Sequence, residues 1–125
     1  MATLNQQFAQ KAFVHISSLR FDEIEKKKYG SMAHKFPVLV RTAGLMQALA
    51  FVEARSSDPQ KELVTHLAED LGFTGRNQLL ARARTADLSA YMQLTRRVLA
   101  AALWYKRLAE SVLGIGADED PGGEG

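Results

Sequence analysis

Residues 86–113 read ADLSAYMQLTRRVLAAALWYKRLAESVL. At about 100° per residue, Tyr91, Leu94, Val98, Ala101, Tyr105, Leu108 and Val112 form one apolar stripe. Leu88, Met92, Leu99 and Leu103 form a second on an adjoining side. This predicts a long final helix from about Ala86, with Thr85 as its cap and Gly114 at its close. The remaining sector holds Gln93, Arg96, Arg97, Ala100, Trp104, Arg107 and Ser111, so the single tryptophan lies among three arginines. Trp beside Arg is the composition of a binding hot spot, and it also suits single-stranded nucleic acid, where bases stack on aromatics and guanidinium groups neutralise phosphates. The same pattern describes a half-buried Trp covered by a neighbouring helix, with solvated arginines around it.

Outward from that helix, the chain reads as helix and short turn with no period-two strand. Ser56-Ser57-Asp58-Pro59 places a capping Asp before a first-turn Pro, and Leu63, Val64, Leu67, Ala68 and Leu71 follow at helical spacing up to Gly72. A short helix is expected over residues 77–84. Phe36 to Ala54 is the most apolar stretch, and Pro37 fits the first turn of a helix there. Arg41, Gln47 and Glu53 exclude a membrane span, since an interior Arg alone costs about 2.5–3.5 kcal/mol on insertion; a central helix packed among others is expected instead. A second segment, residues 22–35, opens with Asp22 as N-cap, and Gly30 weakens its middle. The first helix runs from about Leu4 to Arg20, with Leu4, Phe8, Ala12, Ile16 and Leu19 on one side. The fold class expected is all-α, a compact bundle of five or six helices.

The chain has 125 residues, 46% of them apolar and 24% charged, which suits one domain with its own core. It has no cysteine, so disulfides, thiolate nucleophiles and thiolate metal sites are excluded. The N-terminus MATLNQQFAQ lacks a signal-peptide layout, and a cytoplasmic location is expected. The net charge of +2 hides an uneven distribution: GIGADEDPGGEG at the end carries Asp118, Glu119, Asp120 and Glu124 and no base. Residues 1–113 hold sixteen bases and ten acids, a basic body that suits a polyanionic partner or simply solubility. The glycine-rich tail, 114–125, is expected to be disordered, leaving 1–113 as the single domain.

Catalytic patterns are missing. His15, His34 and His66 match no common metal spacing. His15, on the apolar face of the first helix, reads as a hydrogen-bonded core or boundary histidine. His34 reads equally as a phosphate contact or a solvated side chain, and His66 as a surface residue. Glu69 and Asp70 point about 100° apart on a helix, so they cannot work as a paired acid and base. No catalytic residue, metal or cofactor is expected. Arg41 interrupts an apolar helix and must reach water, an anionic partner, or an acid such as Glu23 or Glu25. Residues 63–84, LVTHLAEDLGFTGRNQLLARAR, also have the outline of a helix-turn-helix, which would aim Asn77, Gln78, Arg82 and Arg84 at a DNA major groove.

Residues 29–51, YGSMAHKFPVLVRTAGLMQALAF, resemble the signature of the small helical subunit of the Cmr effector complex, the type III-B CRISPR–Cas machinery that targets RNA. The matching positions are Tyr29, Lys35, Pro37, Gly44, Leu45, Ala50 and Phe51, and the likeness extends over residues 4–113. Ala43 stands where family members often carry Asn. The resemblance implies a non-catalytic subunit for antiviral defence. Its copies would stack along the backbone filament and line the groove of the guide–target duplex, beside the backbone and large subunits. The partners implied are those subunits, CRISPR RNA and single-stranded target RNA. Lys35, Arg41, Arg96, Arg97 and Arg107 are the residues assigned to RNA; Gly44 and Trp104 are assigned to a partner interface.

Overall fold

The computed structural model describes residues 2–117. Within them the chain forms six helices and no strand: α1 (Leu4–Ser17), α2 (Glu23–Ala43), α3 (Leu45–Arg55), α4 (Asp58–Asp70), α5 (Arg76–Thr85) and α6 (Leu88–Ser111). The all-α bundle is as expected. The acidic residues 118–125 lie outside the described residues.

Helix starts follow local chemistry. Thr3 and Gln6 form a reciprocal capping box for α1, and Asp22 and Glu25 do so for α2. Ser57, one residue before the expected Asp58, caps α4, and its backbone N–H is answered by the Gln60 side chain at 3.1 Å. Likewise Asp87, not Thr85, caps α6, accepting from the Ala90 N–H at 2.9 Å; Thr85 is the last residue of α5.

The largest correction concerns α2 and α3. α2 continues through Gly30 and Pro37 to Ala43, and the expected central helix from Phe36 to Ala54 is split at Gly44. Gly44 takes φ +92°, a conformation glycine adopts without steric cost. It has no side chain to cap α3, and the hydroxyl of Tyr91 on α6 accepts the Met46 N–H instead, at 3.0 Å. A cap supplied from a distant helix is invisible to a local reading. Pro37 therefore sits inside a helix, buried, where it removes one backbone donor.

α6 packs chiefly on α2 and α1, and α2 also on α4 and α3, so α2, α4 and α6 enclose the core. Phe8, Tyr29, Met32, Phe36, Leu49, Leu67 and Tyr105 are among its largest buried side chains. Of the α6 stripes, the first is buried from Leu94 to Tyr105 and opens to solvent at Val112, which is 42% exposed. The second opens to solvent at its N-terminal end, where Leu88 is 74% and Met92 48% exposed. The disorder expected from Gly114 does not hold at Ile115, which is 4% exposed and whose carbonyl bonds His34 Nε2 at 2.9 Å.

Candidate nucleic-acid interface

The outer face of α6 presents Gln93, Arg96, Arg97 and Arg107 to solvent. Arg96 and Arg107 are eleven residues apart, which returns them to within about 20° of one another and separates them by roughly 16 Å along the helix. Trp104 stands between, half-buried. Its indole N–H donates to Asn5 Oδ1 at the start of α1, at 2.8 Å, and Arg107 Cζ lies 4.8 Å from the ring centroid. One ring face is thus covered by a guanidinium, and the polar edge is tied to α1. The sector matches the second of its two sequence readings, a half-buried Trp against a neighbouring helix with exposed arginines around it.

The α2 residues are placed apart from this strip. Arg41 is exposed in the last turn, where its charge complements the helix C-terminus. Lys35 is half-buried. Six residues separate them, so they emerge about 120° apart around α2 and do not share a face. Of the helix-turn-helix residues, Arg82 and Arg84 are exposed, whereas Gln78 Oε1 accepts from the Thr74 N–H at 2.8 Å. Arg76 pairs with Glu53 on α3 and donates to Thr65 on α4.

The histidines depart from expectation. His34 is buried in the middle of α2 against Ile115, so it neither touches phosphate nor is solvated. His66 is 7% exposed rather than on the surface. Pro59, Leu63, His66 and Asp70 all face inward, and that i, i+4, i+7, i+11 spacing is the signal that places His66 inside. His15 is a hydrogen-bonded boundary residue, as expected. Its ring stacks on His66 with centroids 4.0 Å apart and planes 8° from parallel.

Around that stack α1, α2, α4 and α6 bring together Lys11, His15, Tyr29, Glu62, His66, Glu69, Asp70 and Tyr105. Tyr105 Oη donates to Asp70 Oδ2 at 2.5 Å and lies 2.8 Å from His15 Nδ1. Tyr29 Oη lies 2.7 Å from His66 Nδ1. Glu69 faces His15 Nε2 at 3.3 Å, Glu62 faces His66 Nε2 at 3.2 Å, and Lys11 Nζ reaches the Asp70 carbonyl at 3.4 Å. Burial, then the charge on His15, pushes the His66 ring down to about 3. Burial raises Asp70 above the usual carboxylate range, against the hydrogen bond from Tyr105 that lowers it. Burial and the nearby carboxylates raise both tyrosines. These ionisable groups contact one another, and among the described residues no group of three or more His, Asp or Glu side chains is arranged to hold a metal ion. No helix among them is long and apolar enough to cross a membrane.

The fold and its surface define a small helical bundle whose ionisable interior is engaged in its own packing and whose outer face offers arginines. Residues 4–112 match the model of the CRISPR-associated protein family Cas_Cmr5. The chain belongs to that family. It is 45% identical over 113 residues to the CRISPR system Cmr subunit Cmr5 of Thermus thermophilus, covering 90% of this chain and 98% of that one. The crystal structure of a CRISPR-associated Cmr5 family protein from the same organism superposes with a TM-score of 0.83 at 44% identity, covering 89% of this chain and 98% of that one.

Proposed function

We propose that the chain is a non-catalytic structural subunit of a type III-B CRISPR ribonucleoprotein. It stacks with further copies along the backbone filament and meets the guide–target duplex through Arg96, Arg97 and Arg107, with Lys35 and Arg41 as separate contacts on different sides of α2. The observation that carries this reading is membership of the Cas_Cmr5 family over nearly the whole chain. The solvated arginines of α6 support it, because phosphate contacts from such side chains give affinity without sequence preference. That suits a subunit of a machine in which guide pairing chooses the target. Trp104 and the turn at Gly44 are the surfaces assigned to neighbouring subunits. Each copy need bind only weakly, since stacking adds contacts along one strand. The work of such a subunit is done in the cytoplasm.

The test is affinity purification of the tagged protein from its native cells, followed by identification of proteins and RNA. Recovery of the other Cmr subunits with CRISPR RNA is the expected result. Recovery of the chain alone, or with duplex DNA, overturns the reading. Duplex DNA would point instead to the exposed Arg82 and Arg84 of α5.

A further inference from the structure

Hydrogen-bond directions assign the protons of the buried cluster. Tyr105 Oη gives its only proton to Asp70 Oδ2, so its oxygen accepts from His15 Nδ1–H. His15 Nε2 faces the Glu69 carboxylate at 3.3 Å, and Nδ1 also lies 3.4 Å from Asp70 Oδ1. On the other ring, His66 Nε2 faces the Glu62 carboxylate at 3.2 Å, and Nδ1 shares a hydrogen bond with Tyr29 Oη. Two imidazole rings, each beside a carboxylate, thus lie flat on one another at 4.0 Å. The groups facing the pair come from every element packed around it: Lys11 from α1, Tyr29 from α2, Glu62, Glu69 and Asp70 from α4, and Tyr105 from α6.

We propose that the His15–His66 stack is a charge-limited lock on α1: the pair tolerates at most one proton charge, and protonation of both rings parts them and releases α1 from α4 and α6. Protons on both rings would leave two like charges ring on ring at 4.0 Å, with the Tyr29 hydroxyl confined to accepting from His66 Nδ1. α1 is the element that yields, because it buries only Phe8, Ala12 and Ile16, while α2 and α4 bury many more side chains. His66 is held far below its ordinary pKa, so the lock stays closed near neutrality and opens in acid.

The release has a built-in reporter. Trp104 is the only tryptophan, and its indole N–H bonds Asn5 one residue into α1. The full chain, labelled with nitrogen-15, is titrated from pH 7 to pH 3 while the indole cross-peak, amide protection and far-UV circular dichroism are followed. The expected result is movement of the indole peak to its free position below about pH 4. Protection of α1 falls about tenfold or more relative to α2, and most helical signal persists. In His66→Gln, which can still accept from Tyr29 and donate to Glu62, α1 stays docked to a lower pH. Two results overturn the proposal: loss of all helices in one transition, or release of α1 in His66→Gln at the wild-type pH, which would assign it to Glu62, Glu69 and Asp70. Should His66→Gln not fold, the His66 ring titration in the unaltered chain decides. An inflection coincident with α1 opening upholds the lock, and one separated from it overturns the lock.

Discussion

The side chain of Ile115 fills the notch that Gly30 leaves in α2: a Cβ on Gly30 would stand 2.7 Å from Ile115 Cδ1 and 2.9 Å from Cγ2. The glycine that weakens α2 on paper is what lets the chain after α6 close over it. His34, one turn further along α2, bonds the Ile115 carbonyl and fixes the same segment. Gly30→Ala gains helix propensity, worth about 1 kcal/mol, but it forces Ile115 out and is expected to destabilise by about 1–3 kcal/mol. Ile115→Ala alone is expected to cost about 2–4 kcal/mol. In the Ile115→Ala background the cost of Gly30→Ala is expected to shrink, because only the 3.0 Å approach to the remaining Cβ persists. Urea denaturation of the four chains measures this as a double-mutant cycle.

Gly44 and Tyr91 form a second coupled pair. Gly44→Ala places a Cβ on a residue at φ +92° and is expected to cost about 1–2 kcal/mol. Tyr91→Phe removes the acceptor of the Met46 N–H at the start of α3 and costs about 1 kcal/mol. Hydrogen exchange at Met46 separates the two, because only Tyr91→Phe frees that amide while leaving the turn unstrained.

The buried phenols set an alkaline limit. Tyr29 and Tyr105 have pKa values raised by folding, so they bind protons in the native state that the unfolded chain has already lost. Their contribution to stability is complete below about pH 10, the unfolded value, and is lost as pH rises beyond it. Absorbance at 295 nm should show both phenols ionising together with unfolding rather than before it.

In acid the signs divide. His66, lowered to about 3, costs stability as pH falls from the unfolded value near 6.5 toward 3, by up to roughly 4–5 kcal/mol in total. Asp70 is shifted upward, so its contribution is present at low pH and lost as pH rises through its folded value, which opposes His66 there. A net fall in thermal midpoint between pH 6 and pH 4 is expected, and His66→Gln should flatten it.

On the outer face of α6, reversing Arg96, Arg97 and Arg107 to Glu is expected to leave the fold intact, since all three are exposed. Binding of single-stranded RNA should weaken by about tenfold or more, with a shallower salt dependence. Filter binding at two salt concentrations, beside circular dichroism, checks both halves of the claim. Asn5→Ala is the control: it frees the Trp104 indole and should leave RNA binding unchanged if Arg107 covers the ring.

The bundle is legible in the sequence because its helices advertise themselves through spacing and caps. The stripe from Tyr91 to Leu108 and the capping side chain of Asp22 act within a few residues of their own positions. What a local reading misses acts at a distance. Gly44 ends α2 because Tyr91, 47 positions away, can cap the next helix. The polar neighbours Glu62, Thr65 and Glu69 make His66 look exposed, although its turn-to-turn alignment with Leu63 and Asp70 points inward. Glu69 and Asp70 point apart on α4; burial is the main cause that raises Asp70, and the charge of Glu69 adds least to its shift. Their common partner, His15, comes from another helix.

The sequence by itself determined the all-helical class, the absence of thiol chemistry, the basic body and, through the run from Tyr29 to Phe51, the family. These rest on composition, on a 3.6-residue period and on contacts within one turn, all of which survive in the unfolded chain's order. Only the tertiary structure decided that two histidines share a stack, that Ile115 belongs to the core, and that Arg107 lies on Trp104 while Lys35 and Arg41 diverge. Each of those depends on which helices meet and at what rotation. Burial then sets the ionisation of His66, Asp70 and the two phenols, because a group's charge is governed by the neighbours that replace its water.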